Sequence, residues 1–156
     1  MTTTSFEEIL EKEGMLVYTN VGTSMLPLLR QGKDLLIIKR KSANRLKWLD
    51  VPLFKRRDGK YIMHRVMWVC KDTYVMCGDN QWYLERGVQE DQILGVLTAV
   101  QRDGKTYQMD SLLLRFYGYV EFFIYPFRAP LCFVRDKFYG LRRRFNKLKS
   151  KNQYFV

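Results

Sequence analysis

The sequence predicts a mainly β domain, α+β overall, followed by a helical and basic C-terminal tail. Three observations carry this prediction. Between residues 15 and 109, short apolar runs with β-branched residues alternate with polar turns, the pattern of antiparallel strands. Arg-Asp-Gly-Lys occurs twice, at residues 57–60 and 102–105, and Asp-Gly suits the positive φ angles of a tight primed hairpin turn. After Ser111 the strand signals stop, and aromatic and basic residues take over. A chain of 156 residues that is 47% hydrophobic and 15% aromatic is long and apolar enough for one sizeable core, which excludes disorder.

Residues 5–13 read as a short amphipathic helix with Phe6, Ile9 and Leu10 on one face. Ser5 and Glu8 have the spacing of a capping box, and Gly14 ends the helix. Strands are expected at 15–20, 35–39, 51–56, 61–69, 73–77, 94–101 and 106–109. Pro52 predicts that the third of these starts at a sheet edge. Asp110 and Ser111 are suited to cap a helix over 112–125, and Pro126 and Pro130 predict a break before a second helix over 131–148. The expected units are a β domain over 1–110 and a helical basic tail over 111–156, packed on that domain or extending from it.

The net charge of +11 is unevenly placed. Residues 112–151 hold ten Lys/Arg against Glu121 and Asp136, a balance of +8, which leaves +3 for the first 111 residues. Basicity therefore describes the tail. The polar, acidic start does not resemble a secretory signal, and no apolar run reaches the roughly 18 residues of a membrane span. A cytoplasmic protein, peripheral at the inner membrane face, is expected. Cys70, Cys77 and Cys132 are odd in number and lack metal-site spacing, so reduced thiols are expected. No ligand cluster or phosphate loop is present, and the expected chemistry needs no cofactor.

That chemistry starts from Val21-Gly22-Thr23-Ser24-Met25-Leu26-Pro27. Gly22 tolerates unusual backbone angles and Pro27 restricts Leu26, so the loop presents one hydroxyl at a fixed point beside a strand. Taken alone it also fits a plain turn with a solvated serine. His64, the chain's single histidine, lies in Tyr61-Ile62-Met63-His64-Arg65-Val66, where strand alternation puts it on one face with Ile62. A lone histidine fits a structural role as readily as a catalytic one. Cys77-Gly78-Asp79-Asn80 then sets an acid in a glycine turn, with Glu85 six residues after Asp79. Serine, histidine and acid on separate loops and strand ends suit nucleophile, base and orienting group, since triads are defined by geometry and not by chain order.

Gly-Thr-Ser-Met-Leu-Pro, an apolar strand, His-Arg-Val and Gly-Asp-Asn, in that order, resemble the serine-peptidase clan of LexA-type repressors and type I signal peptidases over roughly residues 15–100. The resemblance implies that clan's antiparallel β fold. Histidine stands where many members carry lysine, so the chain looks like the endoplasmic-reticulum variant. By motif, Ser24 is then the nucleophile and His64 the general base. Asp79 ranks first as the acid and Glu85 is its rival. The Ser24 N–H and Thr23 are implied as oxyanion donors, with Met25 and Pro27 in positioning roles. The chain departs from the family pattern at Gly32-Lys33-Asp34 and Leu49-Asp50, and a short helix stands where signal peptidases carry an anchor. It is therefore more similar to the short soluble bacterial type.

Two functions follow as expectations. One is a serine endopeptidase acting on an extended peptide or protein segment, bound by adding a strand to a sheet edge. The other is an inactive peptidase-like binding module whose tail, with Arg142, Arg143, Arg144 and Lys147, contacts an anionic membrane or nucleic acid. The 14 residues before the first strand are too few for a DNA-reading domain, which makes nucleic acid the weaker partner. Within the tail, core packing is expected over 112–134 and an exposed cationic helix over 135–151.

Overall fold

The computed structural model describes residues 5–152, with side chains through Arg143. Helix α1 (Phe6–Glu13) starts as its sequence predicts: the Ser5 hydroxyl accepts the Glu8 N–H at 3.2 Å, and the Glu8 carboxylate accepts the Ser5 N–H at 3.1 Å. Gly14 closes it at φ 69°, a left-handed conformation that costs glycine little.

Strands β1 (Met15–Thr19), β2 (Leu35–Arg40), β3 (Pro52–Lys55), β4 (Tyr61–Met63), β8 (Ile93–Arg102) and β9 (Lys105–Gln108) make one antiparallel sheet of order β1-β2-β8-β3-β4. The long β8 pairs with β3 near its start and with β9 near its end. Strands β5 (Arg65–Val69), β6 (Thr73–Cys77) and β7 (Glu85–Gln89) form a second sheet in that order. Leu10, Leu16, Met25, Leu29, Leu36 and Ile38 belong to the core that joins α1 and the Ser24 loop to the first sheet. Phe54, Val66, Tyr74, Met76, Val88 and Ile93 fill the space between the two sheets. This matches the mainly β, α+β architecture that the sequence predicts.

Local details differ from expectation for identifiable reasons. The run 61–69 is two strands: the chain leaves the first sheet after Met63 and enters the second at Arg65, so His64 sits at the crossing. Pro52 does not mark an edge, because β3 lies between β8 and β4; proline is tolerated there as the strand's first residue. The two Arg-Asp-Gly-Lys turns differ. At 102–105 both Asp103 (φ 49°) and Gly104 (φ 76°) are left-handed, as a two-residue primed turn requires. At 57–60 only Gly59 is left-handed (φ 84°), and the ladder closes one residue earlier through Arg56 N–H to Lys60 O, giving a three-residue loop.

The predicted break in the tail is absent. Helix α2 (Leu112–Asn152) runs through Pro126 and Pro130. An interior proline costs about 3 kcal/mol or more, because an N–H is lost and a carbonyl crowded. Both prolines are exposed, so water can reach the affected backbone. Contacts on both sides of them hold the helix to the domain: Phe122 packs edge-on against Trp48 (4.9 Å) and Trp68 (5.7 Å), the Tyr125 hydroxyl donates to Trp82 O (2.8 Å), and Phe133 packs against Trp82 (4.9 Å). Among the described residues, no helix is long and apolar enough to cross a membrane.

The loop from Asn20 to Asp34, which carries Ser24, is tied to β8 through one buried carboxylate. Asp34 accepts from the Arg30 backbone (2.8 Å), Arg30 Nε (2.9 Å) and Arg102 Nε (3.1 Å), while Arg102 Nη2 also donates to Leu28 O (2.7 Å). Burial pushes the Asp34 carboxyl up, but hydrogen bonds from Arg102 and from the Arg30 backbone and side chain outweigh it, holding its pKa at about 2 against an ordinary 3.8. A depressed folded-state pKa gives stability that is complete above the unfolded value and lost as pH falls through the folded one. Urea denaturation between pH 4 and pH 2 should therefore show a loss on the order of 2 kcal/mol attributable to Asp34. Asp34→Asn should be less stable at neutral pH and flatter across that window; an unchanged slope would remove Asp34 from the account.

Candidate active site

Ser24 is positioned by its neighbours. Met25 and Leu29 are buried on either side of the turn, Gly32 N–H closes the loop on Asn20 O at 3.0 Å, and Leu26 N–H bonds Thr23 O at 3.2 Å. Ser24 itself is half-buried and lines a cavity of about 330 Å³. His64 lines the same cavity although only 1% exposed, its ring edge-on to Phe54 at 6.1 Å. Ile62 shares the cavity, as strand alternation predicts, and Arg135 reaches it from α2. A larger cavity of about 450 Å³, bounded by Trp48, Thr98, Met109 and Tyr119, contains neither Ser24 nor His64.

The two candidate acids part company. Glu85, the first residue of β7, sets Oε2 3.4 Å from His64 Nδ1, a close charge contact short of a hydrogen bond, and that buried nitrogen has no hydrogen-bond partner among the described residues. Arg56 grips the same carboxylate with both Nε and Nη2, the latter at 2.7 Å. Burial pushes Glu85 up, but His64 Nδ1 at 3.4 Å and the two hydrogen bonds from Arg56 prevail and hold its pKa at about 2. The Glu85 hydrogen bonds in turn raise the Arg56 guanidinium above its usual range. Glu85 is thus an anion beside Nδ1 at any pH where an imidazole titrates.

Asp79 faces elsewhere, which reverses its rank over Glu85. Arg65 donates to both its oxygens, Nε at 2.8 Å and Nη2 at 2.7 Å, and the Tyr117 hydroxyl donates at 3.1 Å. Arg65 Nη1 also reaches Leu49 O at 3.2 Å. Burial works against the Arg65 charge, yet the Asp79 carboxylate beside it keeps its pKa raised. Tyr117 is pushed up by burial and by the Asp79 charge, so it stays a protonated donor.

Each residue of Gly78-Asp79-Asn80 has a separate task. A Cβ on Gly78 would stand 2.5 Å from Ser24 O, closer than real atoms approach. Asp79 neutralises Arg65. Asn80 N–H donates to Ser24 O at 2.8 Å and its side-chain amide to Thr23 O at 3.0 Å, clamping the serine turn from behind. Arg135 of α2 donates to both the side-chain and backbone oxygens of Asn80, extending the clamp to the helix. Thr23 is exposed and lines the cavity; Met25 and Pro27 do not, Met25 being core and Pro27 an exposed turn residue after a cis peptide bond. Arg142 and Arg143 are exposed on α2, while the Arg144 and Lys147 side chains lie outside the described residues. Arg56 and Arg135 carry no sequence signal, since their partners are distant in the chain. Asn80 stands in the Gly-Asp-Asn motif, the signal by which it is found.

The chain matches no protein-family model, no curated protein and no solved structure.

The two acids are separable by mutation. Asp79→Asn should destabilise the fold by about 3–5 kcal/mol, because Arg65 is left buried and uncompensated. Glu85→Gln should cost less, on the order of 1–2 kcal/mol, because Arg56 is only part-buried and water can reach it, and should stay folded at neutral pH yet lower a His64-dependent reaction roughly a thousandfold or more, as losing the orienting acid does elsewhere. Urea denaturation and turnover measured on both variants check this, and a folded Glu85→Gln protein of full activity would reject its role.

Proposed function

We propose that the protein is a serine endopeptidase that cleaves an extended peptide or protein segment through Ser24, His64 and Glu85. The observation that carries this reading is Ser24 and His64 lining one cavity, with an ionised carboxylate 3.4 Å from the imidazole Nδ1. The order of motifs, which resembles that of the signal-peptidase clan, supports it independently.

In this reading Glu85 holds His64 with Nδ1–H toward the carboxylate, leaving Nε2 as the unprotonated base. Nε2 takes the Ser24 proton as Oγ attacks the peptide carbonyl, and Glu85 stabilises the imidazolium that forms. The imidazolium passes that proton to the leaving amine, the C–N bond breaks, and an acyl-enzyme remains. Water, deprotonated by His64, then releases the acid and restores the serine. The carbonyl oxygen becomes an oxyanion in between and needs fixed donors. The Ser24 N–H, on a turn clamped by Asn80, and the Thr23 hydroxyl are suited to that role. Strand β4 is an edge of its sheet and runs directly into His64, so a substrate strand added there would lead its scissile bond toward Ser24.

The test is digestion of a mixed peptide library followed by mass spectrometry. Ser24→Ala and His64→Ala should each lower cleavage by roughly a thousandfold or more with an unchanged circular dichroism spectrum. Undiminished cleavage by purified Ser24→Ala protein would reject the nucleophile, and with it the reading.

A further inference from the structure

Helix α2 has two apolar faces, and the β domain covers only one. Gly118, Glu121 and Cys132 are buried against the domain, with Arg65 Nη1 only 3.0 Å from where a Gly118 Cβ would stand. Phe127 lies nine residues after Gly118, about two and a half turns, and therefore on the opposite side. It is 77% exposed, and Phe116 (67%), Phe123 (67%) and Phe138 (71%) share that outer side. Core packing was expected for these phenylalanines up to residue 134, and the outer face does not provide it. An exposed apolar surface of this length marks an interaction site.

Spacing and charge select the occupant. Phe116, Phe127 and Phe138 recur every eleven residues, as do Leu112, Phe123 and Val134. Eleven residues make about three turns, so the stripe drifts only about 20° per repeat along a straight helix, less per residue than the seven-residue seam that winds a left-handed coiled coil. An in-line stripe fits a flat surface. Among the described residues of α2, the exposed cations Arg115, Lys137, Arg142 and Arg143 face only Asp136 as an exposed acid, because Glu121 is buried. A second copy would bring like charges together; an anionic surface would neutralise them.

We propose that the outer face of α2 is an interfacial membrane helix, lying in the plane of an anionic bilayer with its phenylalanines in the headgroup–acyl boundary and its cations at the headgroups. The inner face stays on the β domain. The proposal is independent of the peptidase reading, since a chain lacking Ser24 chemistry would dock equally.

The experiment is co-sedimentation of the full chain with vesicles of equal parts phosphatidylcholine and phosphatidylglycerol, and with phosphatidylcholine alone. Preferential binding to the anionic vesicles, weakened by salt, is expected. The combined substitution Phe116→Ser, Phe123→Ser and Phe127→Ser should lower that binding roughly tenfold or more, and these exposed positions leave the fold, read by circular dichroism, unchanged. Equal binding to both vesicle types, or undiminished binding by the triple variant, would overturn the proposal. So would a stable dimer that the triple substitution dissociates without any lipid binding, or tighter binding to duplex DNA than to the anionic vesicles.

Discussion

The buried pair Arg65–Asp79 is the contact on which the candidate site depends. Taking two charges out of water costs several kcal/mol each and is recovered only when geometry and hydrogen bonding are close to complete. Here Asp79 accepts from both arms of the guanidinium and from Tyr117, and Arg65 spends a further donor on Leu49 O. Leu49 holds that carbonyl in place from a left-handed conformation (φ 71°) rare for a leucine, a local strain consistent with a position fixed by its surroundings. The pair also sets two chain neighbourhoods against each other. His64 precedes Arg65, and Gly78 and Asn80 flank Asp79 and touch the backbone of Ser24. His64 and the Ser24 turn are thus located by the same ion pair, although neither of its members lines the cavity they share.

A second cation does comparable work for the second acid. Arg56 grips both oxygens of the Glu85 carboxylate, including the Oε2 that lies 3.4 Å from His64 Nδ1, so Glu85 stays ionised despite its partial burial. Two acids, each matched to its own arginine, therefore play different parts. Asp79 is saturated and structural. Glu85 keeps one oxygen 3.4 Å from Nδ1, so it is the acid of the two that stands beside the imidazole.

What could be read from the sequence follows the range of the interactions involved. The Ser5–Glu8 capping box, Gly14, most of the strands and the cavity shared by Ser24 and His64 rest on local signals or on a compact motif. Strand β7 has no signature in the sequence because Glu85-Arg86-Gly87-Val88-Gln89 buries only Val88, leaving too little apolar periodicity. The crossing at His64 was hidden because alternation continues through it while the hydrogen-bond partners change sheet. The identical Arg-Asp-Gly-Lys tetrapeptides diverge because the registers of their flanking strands differ, which four residues cannot encode. The choice between Asp79 and Glu85 turned on arginines 14 and 29 residues away from their acids. Nothing short of the tertiary structure assigns those partners.

Helix α2 shows the same dominance of tertiary contact over local preference. Proline at 126 and 130 argues for a break, yet the helix is anchored before them by Tyr117 on Asp79 and the close approach at Gly118, and after them by Phe133 on Trp82 and Arg135 on Asn80. A break would detach one set of these contacts from the other. The anchors are specific in kind: hydrogen bonds to the two consecutive residues that organise the Ser24 turn. The outer face has the opposite character, a broad apolar surface without a directional partner among the described residues. One face of the helix therefore completes the geometry of the site, while the other is free to meet a surface without disturbing it.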